Sequence, residues 1–182
     1  MTVVGALLAG GESRRMGQDK SALVLEGQTL AERALATLAA VSDRQVILGH
    51  GRGCPPDVPR LPDTVPGQGP SEGLRALIAS GLGDVYLVLP VDMPGVSVEQ
   101  LRRLLRALAG HTAACFARAG VIEPLPCALD GRAPLAPREQ RLVALLSALG
   151  PALVPVGDAD VERLGNVNSP DDLAALRARS VR

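Results

Sequence analysis

The segment LLAGGESRRMGQDK (7–20) combines paired glycines with a concentration of positive charge. Gly10 and Gly11 lack side chains, so their backbone N–H groups can come close to an oxyanion. Lys20, which closes the segment, is the only lysine among the 19 lysine and arginine residues of the chain. Its ammonium is a compact charge that meets a phosphate oxygen end-on, whereas arginine presents a wide planar fork. The segment predicts a phosphate-binding loop; a glycine turn whose basic residues face water is the alternative.

Asp92 stands at the end of DVYLVLPVD (84–92), the strongest strand-like run of the chain. Such an apolar run is typical of a strand buried on both faces. Mg²⁺ prefers hard oxygen ligands and is commonly held by one or two carboxylates together with substrate phosphates. We therefore predict that Asp92 binds Mg²⁺, with a carboxylate that caps the following loop as the alternative.

Two amides stand close together near the end of the chain. Asn166 and Asn168, in NVNSPDDL, are the only asparagines of the sequence. Because side chains alternate along an extended segment, both amides are predicted to point the same way and to face one polar ligand. Turn chemistry before a helix, which asparagine also favours, is the alternative.

Strand-length apolar runs alternate with segments of helical period in the order β-α-β-α-β-α. This order predicts an α/β fold with a mostly parallel sheet and helices on both faces, forming one domain over residues 1–182. Loops at the carboxyl ends of parallel strands converge, so Lys20 and Asp92 are expected at the same edge.

The individual elements follow from the same patterns. The predicted strands are 3–9, 44–49, 84–92, 112–118, 121–129 and 152–156. The predicted helices are 28–41, one that begins after Pro70 with Ser71 as its N-cap, 97–110, one near 137–149, and one that begins at Pro170 with Ser169 as its N-cap. Arg102, Arg103 and Arg106 are predicted to lie on the solvent face of the helix 97–110.

Composition excludes several classes of protein. The formal charge is zero and Tyr86 and Phe116 are the only aromatic residues, so neither a phosphate-backbone binder nor a base-stacking platform for nucleic acid is expected. No stretch approaches the ~20 apolar residues of a membrane span, and the first residues do not have the pattern of a secretion signal. Three widely spaced cysteines favour a reducing, cytoplasmic location over a disulfide framework.

The first loop does not fit two common phosphate-binding motifs. Lys20 follows Asp19 rather than glycine, which excludes a Walker loop, and the glycine spacing differs from the dinucleotide fingerprint. Instead, Leu-Ala-Gly-Gly-x-Ser-x-Arg-Met-Gly-x-Asp-Lys resembles the signature of the molybdenum cofactor nucleotidyltransferases. GPSEGLRAL, EPLPCAL and NVNSPDDL are similar to further elements of that family, in the same order. The family often has an asparagine after its second strand, where this chain has Gly49 and His50.

The resemblance implies a Rossmann-like nucleotidyltransferase fold, with the nucleotide on the N-terminal part of the chain and the pterin on the C-terminal part. It implies catalytic roles for Lys20, Arg15 and Asp92. The implied nucleotide-binding residues are Leu8, Ala9, Gly10, Gly11, Lys20, Gly49, Asp63 and Asp92. The implied pterin-binding residues are Gly69, Gly73, Arg138, Arg141, Asn166 and Asn168. For Asp63, a turn-forming role is the alternative.

The implied reaction transfers GMP from GTP to the terminal phosphate of molybdopterin and releases pyrophosphate, with Mg²⁺ as cofactor. Proteins that deliver molybdopterin or mature molybdoenzymes are implied as partners, whereas nucleic acid and membranes are not. The Gly10–Gly11 pair and the Asn-x-Asn element favour GTP over CTP. A CTP-using cytidylyltransferase, a sugar-phosphate nucleotidyltransferase and a non-catalytic nucleotide-binding module remain alternatives.

Overall fold

A computed structural model describes residues 1–9, 19–61, 69–137 and 139–180 of the 182-residue chain. The strands are β1 (Val3–Leu8), β2 (Val24–Leu25), β3 (Gln28–Thr29), β4 (Arg44–Leu48), β5 (Arg60–Leu61), β6 (Val85–Pro90), β7 (Ala113–Arg118), β8 (Val121–Asp130) and β9 (Ala152–Pro155). The helices are α1 (Leu30–Ala39), α2 (Pro70–Ala79), α3 (Val98–Ala107), α4 (Leu142–Ser147), α5 (Asp158–Arg163) and α6 (Pro170–Ser180), with a short 3₁₀ helix at Lys20–Ala22. None of the helices described is long and apolar enough to cross a membrane.

Seven strands form one sheet in the order β5-β4-β1-β6-β8-β7-β9, and β2 pairs with β3 in a separate hairpin. Only the β8 pairings within the large sheet are antiparallel, which confirms the predicted α/β fold with a mostly parallel sheet. From β1 the chain winds outward through β4 and β5 and then returns to the other side of β1 as β6. The switch point therefore lies between β1 and β6, and ligands of such sheets bind at the carboxyl ends of the strands there.

Side chains of the central strands alternate between two apolar layers, as the period of a strand requires. Leu7 and Leu87 belong to the layer that contains the buried residues of α1 and α3. Ala6 and Tyr86 belong to the layer that contains those of α2 and α4. Because both faces are covered, β1 and β6 read in sequence as continuous apolar runs.

The starts of three helices follow from local capping chemistry. Ser97 forms a capping box with Gln100 at α3, and the Ser169 hydroxyl accepts from the backbone N–H of Asp172, which confirms Ser169 as the cap of α6. The prediction of Ser71 as the cap of α2 is wrong. Pro70 occupies the first turn and Gly69 is the N-cap, with a φ of 75°, because proline lacks an N–H and has a φ already suited to a helix start.

Other differences concern short elements. The helix predicted over 28–41 begins only at Leu30, since its first two residues form β3, and the helix near 137–149 is limited to α4. The hairpin β2–β3, the strand β5 and the helix α5 were not expected from the sequence. Elements of two to six residues are too short to show a hydrophobic period.

Arg103 corrects one prediction for α3. Arg102 and Arg106 are exposed as expected, but Arg103 is partly buried. Its guanidinium donates to the Asp160 carboxylate at 2.6 Å and to the Pro155 carbonyl at 2.7 Å. Its Cζ atom lies 5.4 Å from the ring centroid of Phe116, within cation–π range. Asp160 belongs to α5, a helix that the sequence did not predict, so its contact with Arg103 was not expected either.

We expect Arg103→Ala to lower the free energy of unfolding by about 1–3 kcal/mol, because it removes two hydrogen bonds and leaves the Asp160 carboxylate without its cation. Arg102→Ala, on the exposed face of the same helix, is the matched control and should stay within about 0.5 kcal/mol of the wild type. Urea denaturation followed by circular dichroism measures both variants. Equal effects of the two substitutions would contradict the structural role of Arg103.

Candidate active site

Three polar side chains from distant parts of the chain meet at the switch point. The ammonium nitrogen of Lys20 lies 2.9 Å from Oδ2 of Asp92. The same nitrogen donates a hydrogen bond to Oδ1 of Asn168 at 2.8 Å. The side chains of Lys20 and Asp92 are 18% and 20% exposed, so the ion pair is shielded yet remains open to a ligand from solvent.

Asp92 is placed by the end of β6. The N–H of Val91 donates to the carbonyl of Leu8 at 3.0 Å, which continues the contact between β1 and β6 beyond the last strand residue. The carbonyl of Asp92 itself accepts from the N–H of Val167 at 2.7 Å. The backbone of this region is therefore tied both to β1 and to the segment that precedes α6.

Lys20 is placed by the residue before it. Asp19 caps the 3₁₀ helix by accepting from the N–H of Ser21 at 2.9 Å and from its hydroxyl at 2.7 Å. It also accepts from the N–H of Arg52 at 2.5 Å. Burial opposes ionisation of Asp19, but the hydrogen bonds from Arg52 and Ser21 outweigh it and lower its pKa. A charged carboxylate thus joins the lysine segment to the loop after β4.

The loop after β4 contacts the 3₁₀ helix of Lys20 at two glycines, Gly51 and Gly53. The N–H of Gly53 donates to the Ser21 hydroxyl at 2.9 Å. A Cβ atom on Gly53 would collide with the backbone of Ala22, and one on Gly51 would lie 2.9 Å from the Ser21 hydroxyl oxygen. Glycine is required here because two stretches of backbone lie against each other.

We expect Gly53→Ala to lower the free energy of unfolding by about 1–3 kcal/mol, because the new methyl group has no room beside Ala22. Gly73→Ala is the matched control, since its Cβ would lie 3.7 Å from the nearest side-chain atoms. As a helix-interior substitution, Gly73→Ala should be neutral or stabilising by up to about 1 kcal/mol. Urea denaturation measures both. Wild-type stability of Gly53→Ala would argue against the tight contact.

Exposure alternates along the Asn-x-Asn segment. Asn166 and Asn168 are exposed, while Val167 between them is only 3% exposed. Asn168 turns its amide oxygen towards Lys20. Sequence reasoning assigned Asn168 to the pterin and Lys20 to the nucleotide, and did not anticipate this direct contact between them.

Several of the other predicted residues that the structure describes lie around the same edge. Ala9 follows β1 and its N–H donates to the carbonyl of Leu48 at 2.9 Å, while Leu8 precedes it. Gly49 follows β4 with a φ of 91°. Gly69 starts α2, and Gly73 is buried in that helix beside Leu8 and Leu48. Gly10, Gly11, Arg15, Asp63 and Arg138 lie outside the described residues, so their roles stay predictions.

Arg141 lies at the start of α4, and its side chain is 84% exposed.

The segment before Arg141 is attached to α2 by hydrogen bonds. Arg75 donates to the carbonyls of Ala136, at 2.9 Å, and of Glu139. The buried hydroxyl of Ser71 donates to the carbonyl of Gln140 at 2.9 Å. Sequence reasoning missed Arg75 and this use of Ser71, because their partners are backbone groups at the start of a distant segment that the sequence predicted to be helical.

A doubly wound sheet with polar side chains gathered at its switch point is typical of α/β proteins that bind a ligand at the carboxyl ends of their strands. The chain belongs to the MobA-like NTP transferase domain family, whose family model matches residues 5–152. It is accordingly a nucleotidyltransferase, and enzymes of this family generally use a divalent metal ion.

Curated relatives match over nearly the whole chain. A molybdenum cofactor guanylyltransferase of Cereibacter sphaeroides is 35% identical, with 100% of this chain and 97% of the relative covered. A probable molybdenum cofactor guanylyltransferase of Opitutus terrae is 33% identical, with coverage of 93% and 92%.

Solved structures share the fold. A nucleotidyl transferase from Methanothermobacter thermautotroptrophicus superimposes with a TM-score of 0.76 at 24% identity, over 100% of this chain and 98% of that one. The molybdopterin-guanine dinucleotide biosynthesis protein A of Archaeoglobus fulgidus superimposes with a TM-score of 0.78 at 23% identity, over 98% of both chains.

Proposed function

We propose that this protein transfers GMP from GTP to the terminal phosphate of molybdopterin and releases pyrophosphate. The observation that carries the proposal is the contact of the Lys20 ammonium with Asp92 and Asn168 at the switch point of the sheet. The names of the relatives from Cereibacter sphaeroides and Opitutus terrae support guanine as the base. So does the Gly10–Gly11 pair, since the cytidylyl relatives more often have Ala-Gly there.

The proposed chemistry makes modest demands on the protein. The acceptor is a phosphate that is already anionic at neutral pH, so no side chain has to activate it. The protein must bring two anions together and stabilise the charge that develops at the α-phosphate and on the leaving pyrophosphate. An ammonium group that is shielded but still partly exposed suits that task.

Lys20 has three N–H donors, of which two are engaged by Asp92 and Asn168. When a triphosphate enters, its oxygens compete with these neutral and anionic acceptors for the ammonium. The main-chain anchors of Asp19 keep the lysine at the mouth of the first loop during that exchange. We propose that Arg15 and the N–H groups of Gly10 and Gly11 add further positive charge and donors from that loop.

The donor set at this point fits Mg²⁺. The Asp92 carboxylate and the Asn168 amide oxygen are hard ligands that already face one cation, the ammonium of Lys20. In the described part of the chain, no three His, Cys, Asp or Glu side chains cluster as a metal site, so Mg²⁺ here depends on phosphate and water oxygens for its other ligands. When bound, it neutralises charge on the triphosphate.

The acceptor is proposed to approach from the side of Asn166, Gly69 and Arg141. Asn166 and Arg141 are exposed, which leaves an amide and a guanidinium available to a pterin or its phosphate. Arg138, three residues before Arg141 in the sequence, is proposed as a second phosphate contact. Proteins that deliver molybdopterin or accept the product are proposed as partners, and the three buried free thiols support a cytoplasmic location.

We expect Lys20→Ala to lower kcat by about 10²–10³, the usual loss when one charge-stabilising partner is removed. Lys20→Arg should restore little of it, because a planar fork does not fit between two oxygens that converge on one nitrogen. Pyrophosphate release with GTP and molybdopterin measures the rate. Arg132→Ala, an exposed cation near the amino end of β6, is the control and should keep wild-type turnover. Wild-type activity of folded Lys20→Ala would refute the assigned role.

The base is tested by assaying pyrophosphate release with each of the four nucleoside triphosphates and molybdopterin as acceptor. We expect turnover with GTP and a loss of turnover on removal of Mg²⁺ by a chelator. Preference for CTP would identify a cytidylyltransferase instead. Tight binding of GTP without turnover, with or without Mg²⁺, would identify a non-catalytic nucleotide-binding module.

A further inference from the structure

Asp172, in the first turn of α6, is connected to the candidate active site by backbone hydrogen bonds. Its Oδ2 atom accepts from the N–H groups of Asn168 and Ser169, each at 2.8 Å. Its own N–H donates to the Ser169 hydroxyl at 3.2 Å. These reciprocal bonds form a capping box, which fixes the entry of the chain into the helix.

The capped segment is also held from the opposite side. The N–H of Val167 donates to the carbonyl of Asp92 at 2.7 Å, and the Val167 side chain is buried. Asn168 therefore lies between two fixed points, one on the β6 loop and one on α6. Its side chain, although exposed, is directed by this backbone so that the amide oxygen reaches Lys20.

The charge of Asp172 belongs to the same arrangement. An anion is the favourable occupant of a helix N-terminus. The carboxylate is thus set both to cap α6 and to hold the backbone of Asn168.

We propose that Asp172 is a positioning residue that fixes the ammonium of Lys20 beside Asp92 by holding Asn168. Asp172 does not touch Lys20 in this role; it acts through the backbone and amide of Asn168. The effect on turnover rests on the proposed nucleotidyl transfer, whereas the effect on the environment of Lys20 does not. The two are separately measurable.

The environment of Lys20 can be measured selectively, because Lys20 is the only lysine of the chain. Labelling the protein with ¹⁵N-lysine gives one side-chain NMR signal, from the Lys20 ammonium. Acylation by an amine reagent modifies only Lys20 and the chain's N-terminal amine, which serves as an internal reference. Peptide mass spectrometry then gives the relative reactivity of Lys20 in each variant.

We expect Asp172→Ala to shift the Lys20 signal and to speed its acylation by about two- to tenfold, the equivalent of one lost hydrogen bond. Asp171→Ala is the matched control, since it removes an equal charge from the same first turn of α6, and should leave both readouts at wild-type values. Asp172→Asn keeps an oxygen acceptor and should restore most of the wild-type behaviour. An unchanged Lys20 in Asp172→Ala overturns the proposal.

A double-mutant cycle tests the route through Asn168. Asn168→Ala alone should change Lys20 as Asp172→Ala does, and in the Asn168→Ala background the further change Asp172→Ala should have no added effect on Lys20. Equal effects of Asp172→Ala in both backgrounds would show that it acts by charge or by general loss of structure, and would overturn the proposal. Circular dichroism checks the fold of each variant. If Asp172→Ala does not fold, Asp172→Leu, which is close to aspartate in size but has no hydrogen-bond acceptor, carries the test with the same expected change at Lys20.

Turnover separates this proposal from the proposed function. With GTP and molybdopterin, Asp172→Ala should lower kcat several-fold while KM for GTP changes less, and Asp171→Ala should change neither. A wild-type protein that is inactive but shows the expected Lys20 shifts refutes the function and retains the positioning role. An active wild-type protein in which Asp172→Ala alters neither Lys20 nor kcat refutes the positioning role alone.

Discussion

The ion pair of Lys20 with Asp92 is the interaction around which the candidate active site is arranged. It joins the loop after β1 to the end of β6, the two strands that flank the switch point of the sheet. An ion pair that is only partly withdrawn from water contributes little net stability, because lost hydration offsets much of the attraction. What the pair does is hold an ammonium and a carboxylate together, partly exposed, at the carboxyl edge of the sheet.

Two supports of different kinds hold that pair. Asp19 and Ser21 fasten the backbone next to Lys20 to the loop after β4, where Gly51 and Gly53 let two chain segments lie in contact. On the other side, the segment before α6 attaches to the Asp92 carbonyl. The first support consists only of contacts among residues of the N-terminal part of the chain. The second makes the site incomplete until that part has folded onto the sheet.

The sequence was sufficient for the elements that cover whole faces of the sheet. The apolar runs of β1 and β6 and the helical period of α1 and α3 predict these elements well, because burial is what the patterns record. Lys20 and Asn168 were proposed as site residues because of their rarity, and Asp92 because it follows a strand. The contact among the three depends on strand order and on the path of the chain into α6. The burial of Arg103 was missed because its partner Asp160 lies in a short helix that has no clear sequence pattern. The contact of Ser71 was missed because the Gln140 carbonyl lies in a segment that the sequence predicted to be helical.

A comparison with the contacts of Arg60 and Arg75 gives a geometric reason why position 20 is a lysine. Arg60 spans the carbonyls of Gly51 and Cys54, and Arg75 spans those of Ala136 and Glu139. In both, a planar fork bridges separate acceptors. At the active site the requirement is the reverse, since Asp92 and Asn168 converge on one nitrogen at 2.9 and 2.8 Å. A tetrahedral ammonium can donate to several oxygens that converge on one nitrogen, whereas the donors of a guanidinium are fixed in one plane and diverge.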